Sequence, residues 1–228
     1  MSSNMQHRVI KLFIVLLLAN LFFMAMLYIQ YKKSPIQSVH TEAKAMHSEQ
    51  MSARKQAIQP VDIYVYGQEN AANELFVFTR YSCSFCKRFY LESFEGELKS
   101  ELENGNLKVL FPFNINLSDK NELLMAKTAE IAREFGLYEK VQKHFYSLET
   151  NPDSLEIIQV LPQMGIDEKL YHSRLSDSIF YKRILEQVEL GNKRQVKATP
   201  IFFLNGARLD GYAGKKEFAE FYSAYKKD

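Results

Sequence analysis

The sequence predicts an α/β domain that carries an inserted helical block and is preceded by one N-terminal transmembrane helix. Three observations lead there. The apolar run Leu75 to Phe78 leads through a C-x-x-C pair into residues at helical spacing, and a second strand-like run follows at Leu107 to Phe113. Residues 118–194 show only helical periodicity. Strand character then returns at Ile201, followed by an Asn-Gly turn and a last amphipathic stripe. Strands alternating with helical segments in this way indicate an α/β architecture.

The first element is apolar from Leu12 to Ile29, 18 residues interrupted only by Asn20. As a helix it would span about 27 Å, close to the roughly 30 Å hydrocarbon core of a bilayer. Tyr28 and Tyr31 suit the interface, and Arg8, Lys11, Lys32 and Lys33 flank the run. A cleavable signal peptide would have a shorter apolar core and a small-residue cleavage site. Gln30-Tyr31-Lys32-Lys33 follows instead, which favours an uncleaved anchor over residues 1–33. Basic residues on both sides leave the orientation open.

Residues 34–60 form a polar linker without glycine. It reads as a solvated tether. Val39, Ala43, Met46, Gln50, Ala53 and Ala57 also fall in steps of four and three, which allows a helical stalk or a short dimerising coiled coil.

The globular domain is expected over residues 61–228, long enough for one sizeable core. Val61, Ile63 and Val65 alternate with Asp62, Tyr64 and Tyr66 as a first strand. Leu75 to Phe78 is rich in β-formers and too short for a buried helix, so it is a core strand. Phe89, Tyr90 and Phe94 mark the next helix, and Asn104-Gly105-Asn106 a turn before the third strand, Leu107 to Phe113. In the helical block, about residues 118–194, Ser118 is a candidate cap and Gly136 a candidate end of the first helix. Val141, Phe145 and Leu148 mark a second helix. Asn151-Pro152-Asp153 starts a third, Gly165 precedes a fourth, and a fifth ends before Gly191. Pro200 opens an apolar strand, Asn205-Gly206 is a two-residue hairpin signal, and Phe218, Phe221, Tyr222 and Tyr225 give the closing helix.

The chemistry is expected at Cys83-Ser84-Phe85-Cys86, which holds the only two cysteines of the 228 residues. Cys83 falls at a helix N-terminus, where unsatisfied N–H groups and the dipole favour an anion. That stabilises a thiolate, the reactive form of cysteine. Structural zinc needs four ligands. Of the five histidines, His7, His40 and His47 lie in or near the N-terminal region, and His144 and His172 stand alone in predicted helices. A purely structural disulfide would close a very small loop, where its entropic benefit is least. A redox pair therefore fits best, with a zinc module as the rival. The helical stripes read as core and the basic residues along them as solvated faces. A net charge of +2 gives no case for nucleic acid.

C-x-x-C at the head of a helix, a long helical insertion, Thr199-Pro200 before a strand, and the Asn205-Gly206 hairpin together resemble the Dsb family of bacterial thiol–disulfide oxidoreductases. The resemblance covers about residues 61–228 and implies a thioredoxin fold with an inserted helical domain. It implies Cys83 as the attacking thiol, Cys86 as the resolving thiol, and a cis Pro200 beside them. Substrate would be bound by Ser84, Phe85, Thr199 and Pro200. Val77-Phe78-Thr79, Thr199-Pro200 and Gly211-Tyr212 are similar to the DsbC/DsbG isomerase-type domains. Val77 stands where DsbA and thioredoxin carry a buried acid, and Phe85 where DsbA has histidine. DsbC and DsbG dimerise through an extra folded N-terminal domain; here an anchor and tether precede the catalytic domain, a layout closer to anchored DsbA-like proteins.

The family works outside the cytoplasm, where protein disulfides form. The expectation is thus a single-pass protein of the bacterial inner membrane with its domain in the periplasm or on the outer face. Its substrates would be extracytoplasmic proteins with thiols or disulfides. No cofactor is required, but a membrane redox partner, a DsbD-like reductase or a DsbB-like oxidase, must reset the pair. Without the motif histidine, and with Arg80, Lys87 and Arg88 screened by salt, the thiolate should be less stabilised than in DsbA. That leans to a reductase or isomerase. A DsbA-like oxidase and a non-catalytic, chaperone-like assembly factor for a secretion or conjugation apparatus are the alternatives.

Overall fold

In the computed structural model, which describes residues 16–29 and 61–227, the run around Leu75 becomes the central strand of a five-stranded sheet. The chain divides into two units, Met1–Gln59 and Pro60–Asp228. In the first, residues 16–29 are helical and exposed. Among the described residues no helix is long and apolar enough to cross a membrane. Residues 12–15 of the expected span, and the whole heptad-like stretch, lie outside the described residues.

In the second unit the sheet order is β1 (Val65–Gly67), β3 (Leu107–Leu110), β2 (Asn73–Phe78), β4 (Ile201–Leu204), β5 (Ala207–Asp210). β2 runs parallel to β3 and antiparallel to β4. Its side chains alternate between two covered faces, which is why it reads as almost continuously apolar. Leu75 and Val77 join Phe202 and Leu204 of β4 in the larger core cluster. Phe78 joins Ile201 in the smaller one, with Phe76 and Phe203 packed against it.

β1 is shorter than the alternation from Val61 suggests. It pairs antiparallel with β3, Val65 opposite Leu110. Continuing that register would set Ile63 against Pro112, which has no N–H to offer. Val61, Ile63 and Val65 still pack in or against the smaller cluster. β3 likewise stops at Leu110 rather than Phe113, and Phe113 keeps only an isolated parallel bridge to Thr79.

The segment after Cys83 is helical throughout but not uniformly α. α1 (Ser84–Phe89) passes into a π-helical stretch, Tyr90–Glu97, and then α2 (Leu98–Glu103). In the wide turn the Leu98 N–H reaches Ser93 O, five residues back. It buries Tyr90, Ser93 and Phe94 on one side, and the Ser93 hydroxyl meets the Tyr212 phenol at 2.9 Å.

The insertion holds five helices: α3 (Lys120–Arg133), α4 (Tyr138–Ser147), α5 (Ser154–Gln163), α6 (Glu168–Leu175) and α7 (Ser178–Lys193). Asp119, not Ser118, caps α3; its carboxylate accepts the Asn121 and Glu122 N–H groups at 3.1 Å. Both residues are capping types, and the charged one takes the helix end. Asp153 and Glu156 form a reciprocal capping box on α5. Gly191 lies inside α7 instead of after it. A Cβ there would stand 2.9 Å from Asn114 Oδ1 and 3.4 Å from the Phe78 ring, so this glycine serves close approach of α7 to the sheet. Asn205 and Gly206 take φ of 50° and 93°, as a tight hairpin between β4 and β5 requires. α8 (Lys215–Tyr225) closes the fold by burying Phe218, Phe221 and Tyr222.

Candidate active site

The site is built where β2 runs out. Thr79 continues its line, giving its N–H to Pro112 O and taking one from Asn114. Arg80 to Ser82 then turn the chain, closed by Cys83 N–H on Arg80 O. Three side chains of the insertion fasten this turn. Glu122 of α3 accepts the Ser82 N–H at 3.0 Å. Gln142 of α4 accepts the Tyr81 hydroxyl at 2.7 Å. Tyr146 of α4 meets the Thr79 hydroxyl at 2.6 Å.

Cys83 is the N-cap of α1, with extended backbone. Its Sγ accepts the Cys86 N–H at 3.2 Å and lies 3.3 Å from Thr199 O, to which the thiol form can donate. The Thr199–Pro200 peptide is cis. Cys83 is 7% exposed and Cys86 1%. Both thiols are free. The structure thus brings Cys83, Cys86, Thr199 and Pro200 together. Ser84 and Phe85 are exposed between the cysteines, Phe85 at 51%.

The two thiols are driven apart electrostatically. Hydrogen bonding from Cys86 lowers the Cys83 pKa to about 6 against the opposing effect of burial, helped by the Thr199 side chain and the Arg80 charge. Burial pushes Cys86 strongly the other way, and the neighbouring Cys83 adds to it; a hydrogen bond to the Thr79 side chain offsets part of this. One cysteine is therefore thiolate at neutral pH while the other keeps its proton. Alkylation of the reduced protein by iodoacetamide should rise through pH about 6 at Cys83, well below the roughly 8.5 of a free cysteine. A rate that climbs only above pH 8 would show that the α1 terminus does not hold a thiolate.

Glu122, Gln142 and Tyr146 were not singled out from the sequence, and Thr79 only as the end of Val77-Phe78-Thr79. For Thr79 a signal exists: Leu75, Val77 and Thr79 share one face at period two, the face α1 covers. Glu122 looks like an ordinary first-turn acid. Of the two domain histidines, His172 is exposed beside Glu168, and His144 is half-buried on α4. Among the described residues no group of three or more His, Cys, Asp or Glu side chains is placed to hold a metal ion.

No curated protein matches the chain. Several solved structures do. Oxidised BdbD from Bacillus subtilis is 18% identical, covering 73% of this chain and 94% of its own, with a TM-score of 0.64. The thiol-disulfide exchange protein alpha-DsbA2 from Wolbachia pipientis is 18% identical over 80% of this chain and 97% of its own, TM-score 0.62. A protein-disulfide isomerase from Novosphingobium aromaticivorans is 17% identical over 72% and 97%, TM-score 0.58. At such identities the likeness is one of fold. The family is fixed by sequence: a thioredoxin family model matches residues 59–223, most of the globular unit with both cysteines inside it, and the chain belongs to the thioredoxin family.

Proposed function

We propose that the protein is a membrane-anchored thiol–disulfide oxidoreductase acting on extracytoplasmic proteins, with Cys83 as attacking and Cys86 as resolving thiol. The observation that carries this is the split pair: a hydrogen-bonded thiolate at the head of α1 with a buried, protonated thiol one turn on. In the reducing direction the Cys83 thiolate attacks a substrate disulfide, one substrate sulfur leaves as thiolate, and a mixed disulfide forms. Cys86 then loses its proton and attacks Cys83 Sγ, releasing the second substrate thiol and leaving the Cys83–Cys86 disulfide. In the oxidising direction the same steps run backwards. Thr199, Pro200 and exposed Phe85 would receive the substrate backbone and side chains beside Cys83.

The direction in the cell is that of a reductase or isomerase. A thiolate pKa near 6 lies between the roughly 7 of thioredoxin and 3.5 of DsbA, so the reduced form is stabilised less than in a strong oxidant. The exposed apolar helix over residues 16–29 supports the anchor, and the chemistry favours the oxidising side of the membrane. A membrane partner of DsbD type would supply electrons. The similarity of fold to DsbA-named proteins favours one rival, a disulfide oxidase reset by a DsbB-like partner.

One experiment decides between them. Alkylation of acid-quenched cells should find both thiols mostly free, and the purified full chain should reduce a protein disulfide. A fully oxidised steady state, lost when a quinone-linked oxidase is removed, would establish the oxidase. A dithiol inert toward small disulfides would instead leave a chaperone-like assembly role.

A further inference from the structure

Glu122 has more burial than its position requires. Asp119 already caps α3, and an acid in a first turn interacts with the helix dipole while exposed; Glu156 and Glu168 sit so on α5 and α6. Glu122 is only 3% exposed. Its Oε1 takes the Ser82 N–H, one residue before Cys83, and its buried Oε2 has no hydrogen-bond partner. A carboxylate oxygen buried without a partner is costly, so its retention calls for a role.

A cation that feels Glu122 lies on the helix that Cys83 caps. Lys87 of α1 is anchored by Leu148 O at 3.1 Å and Asn151 Oδ1 at 3.4 Å. Burial lowers the Lys87 pKa, while the charges of Glu122 and Cys83 both act to raise it. Lys87 therefore feels both Glu122 and Cys83, and a charge on Cys83 exists only when the pair is reduced. On reduction the new thiolate adds a second negative charge that acts on Lys87.

We propose that Glu122 is a positioning residue of the insertion that, with Lys87, sets the reduction equilibrium of the Cys83–Cys86 pair. It rests on the thiol-exchange reading above and goes beyond it by giving the inserted domain a part in the redox chemistry. Glu122 holds the Ser82 turn and disfavours the thiolate; Lys87 favours it. Arg80, whose charge lowers the Cys83 pKa, is unchanged in every variant below.

The test is equilibration of the full chain in glutathione redox buffers, with the reduced fraction read by alkylation. Glu122→Gln can still accept the Ser82 N–H but carries no charge. It should shift the equilibrium toward the dithiol by about tenfold, the scale of one unit charge acting through a partly buried site. Lys87→Met should shift it the opposite way, and the double variant should return close to the parent. Unchanged equilibria in both single variants, or shifts in the same direction, would overturn the proposal and leave Glu122 a structural contact. If Glu122→Gln does not fold, Lys87→Met decides alone: a shift toward the disulfide supports the proposal and none overturns it. A parent chain that does not exchange with glutathione at all would remove the thiol-exchange reading, and this inference with it.

Discussion

Replacing Cys86 with serine is expected to convert the protein from a turnover catalyst into a trap. Cys83 keeps the Cys86-position N–H and its place at the head of α1, because both depend on backbone. It still attacks a client disulfide. The mixed disulfide then lacks the sulfur that would expel the client, since a serine hydroxyl cannot take part in thiol exchange. Release falls to adventitious thiols, on the minutes-to-hours scale of uncatalysed disulfide rearrangement, about the longest lifetimes in this chemistry. Cys83→Ser should trap far less, because Cys86 is almost fully covered and burial holds its proton. Non-reducing gels of the two variants, probed for client adducts, read this directly. Equal adducts, or adducts only with Cys83→Ser, would exchange the two roles.

The largest stability effect is expected away from the sulfur, at Arg133. Glu130 is 1% exposed; its Oε2 accepts from Arg133 at 2.9 Å and its Oε1 from the Gln187 amide at 2.8 Å. Gln187 in turn accepts the Phe113 N–H at 3.0 Å. Arg133 also holds Asp62 at 2.6 Å, tying the insertion to the chain that enters β1. Arg133→Met removes the cation hydrogen-bonded to a buried carboxylate, leaving only the weaker action of the Arg183 charge on it, and should cost about 3–5 kcal/mol in denaturant unfolding. The sign with pH follows from burial. Burial already raises the Glu130 pKa above 4.5, and losing Arg133 raises it further. A carboxyl raised on folding contributes stability below its unfolded value and loses it as pH rises through the folded one. The deficit should therefore be least in mild acid and grow toward neutrality. Glu130→Gln in the same chain should recover most of it. A loss under about 1 kcal/mol at neutral pH would mean that water or another group solvates Glu130.

What could be read in the sequence was local. Leu75 to Phe78 and Cys83 to Cys86 lie within one strand–helix junction, and the Asn205-Gly206 turn states its own geometry. Periodicity and turn chemistry report such features because the interacting residues are close in the chain. The cis bond at Pro200 was available only through resemblance. What was missed joins residues far apart: Glu122 to Ser82 across 40 positions, Gln142 to Tyr81 across 61, Tyr146 to Thr79 across 67. Nothing in the pattern of either partner announces the other. The shortening of β1 is of the same kind, since it depends on which residue Pro112 faces. Ser118 was expected as the cap of α3 and the adjacent Asp119 serves instead, a shift of one residue between two capping types. Gly191 shows the opposite trap, a helix-ending type kept inside a helix by what lies 2.9 Å away.

The three bonds that fasten the Thr79–Ser82 turn to the insertion also bear on motion. In a two-lobed enzyme that closes on its substrate, the seam between lobes slides or pivots with little lost. Here such a displacement would unpair two phenols and a threonine hydroxyl that are buried and a backbone N–H that is partly so, at about 1–3 kcal/mol for each buried group left unsatisfied. Opening along this seam is thus local unfolding, rare and brief, not a working stroke. On the proposed function, the conformational adjustment at encounter is then expected to fall to the client. A polypeptide would have to bring its own slack to reach Cys83, so disulfides in unfolded or extended segments are the substrates expected on that reading.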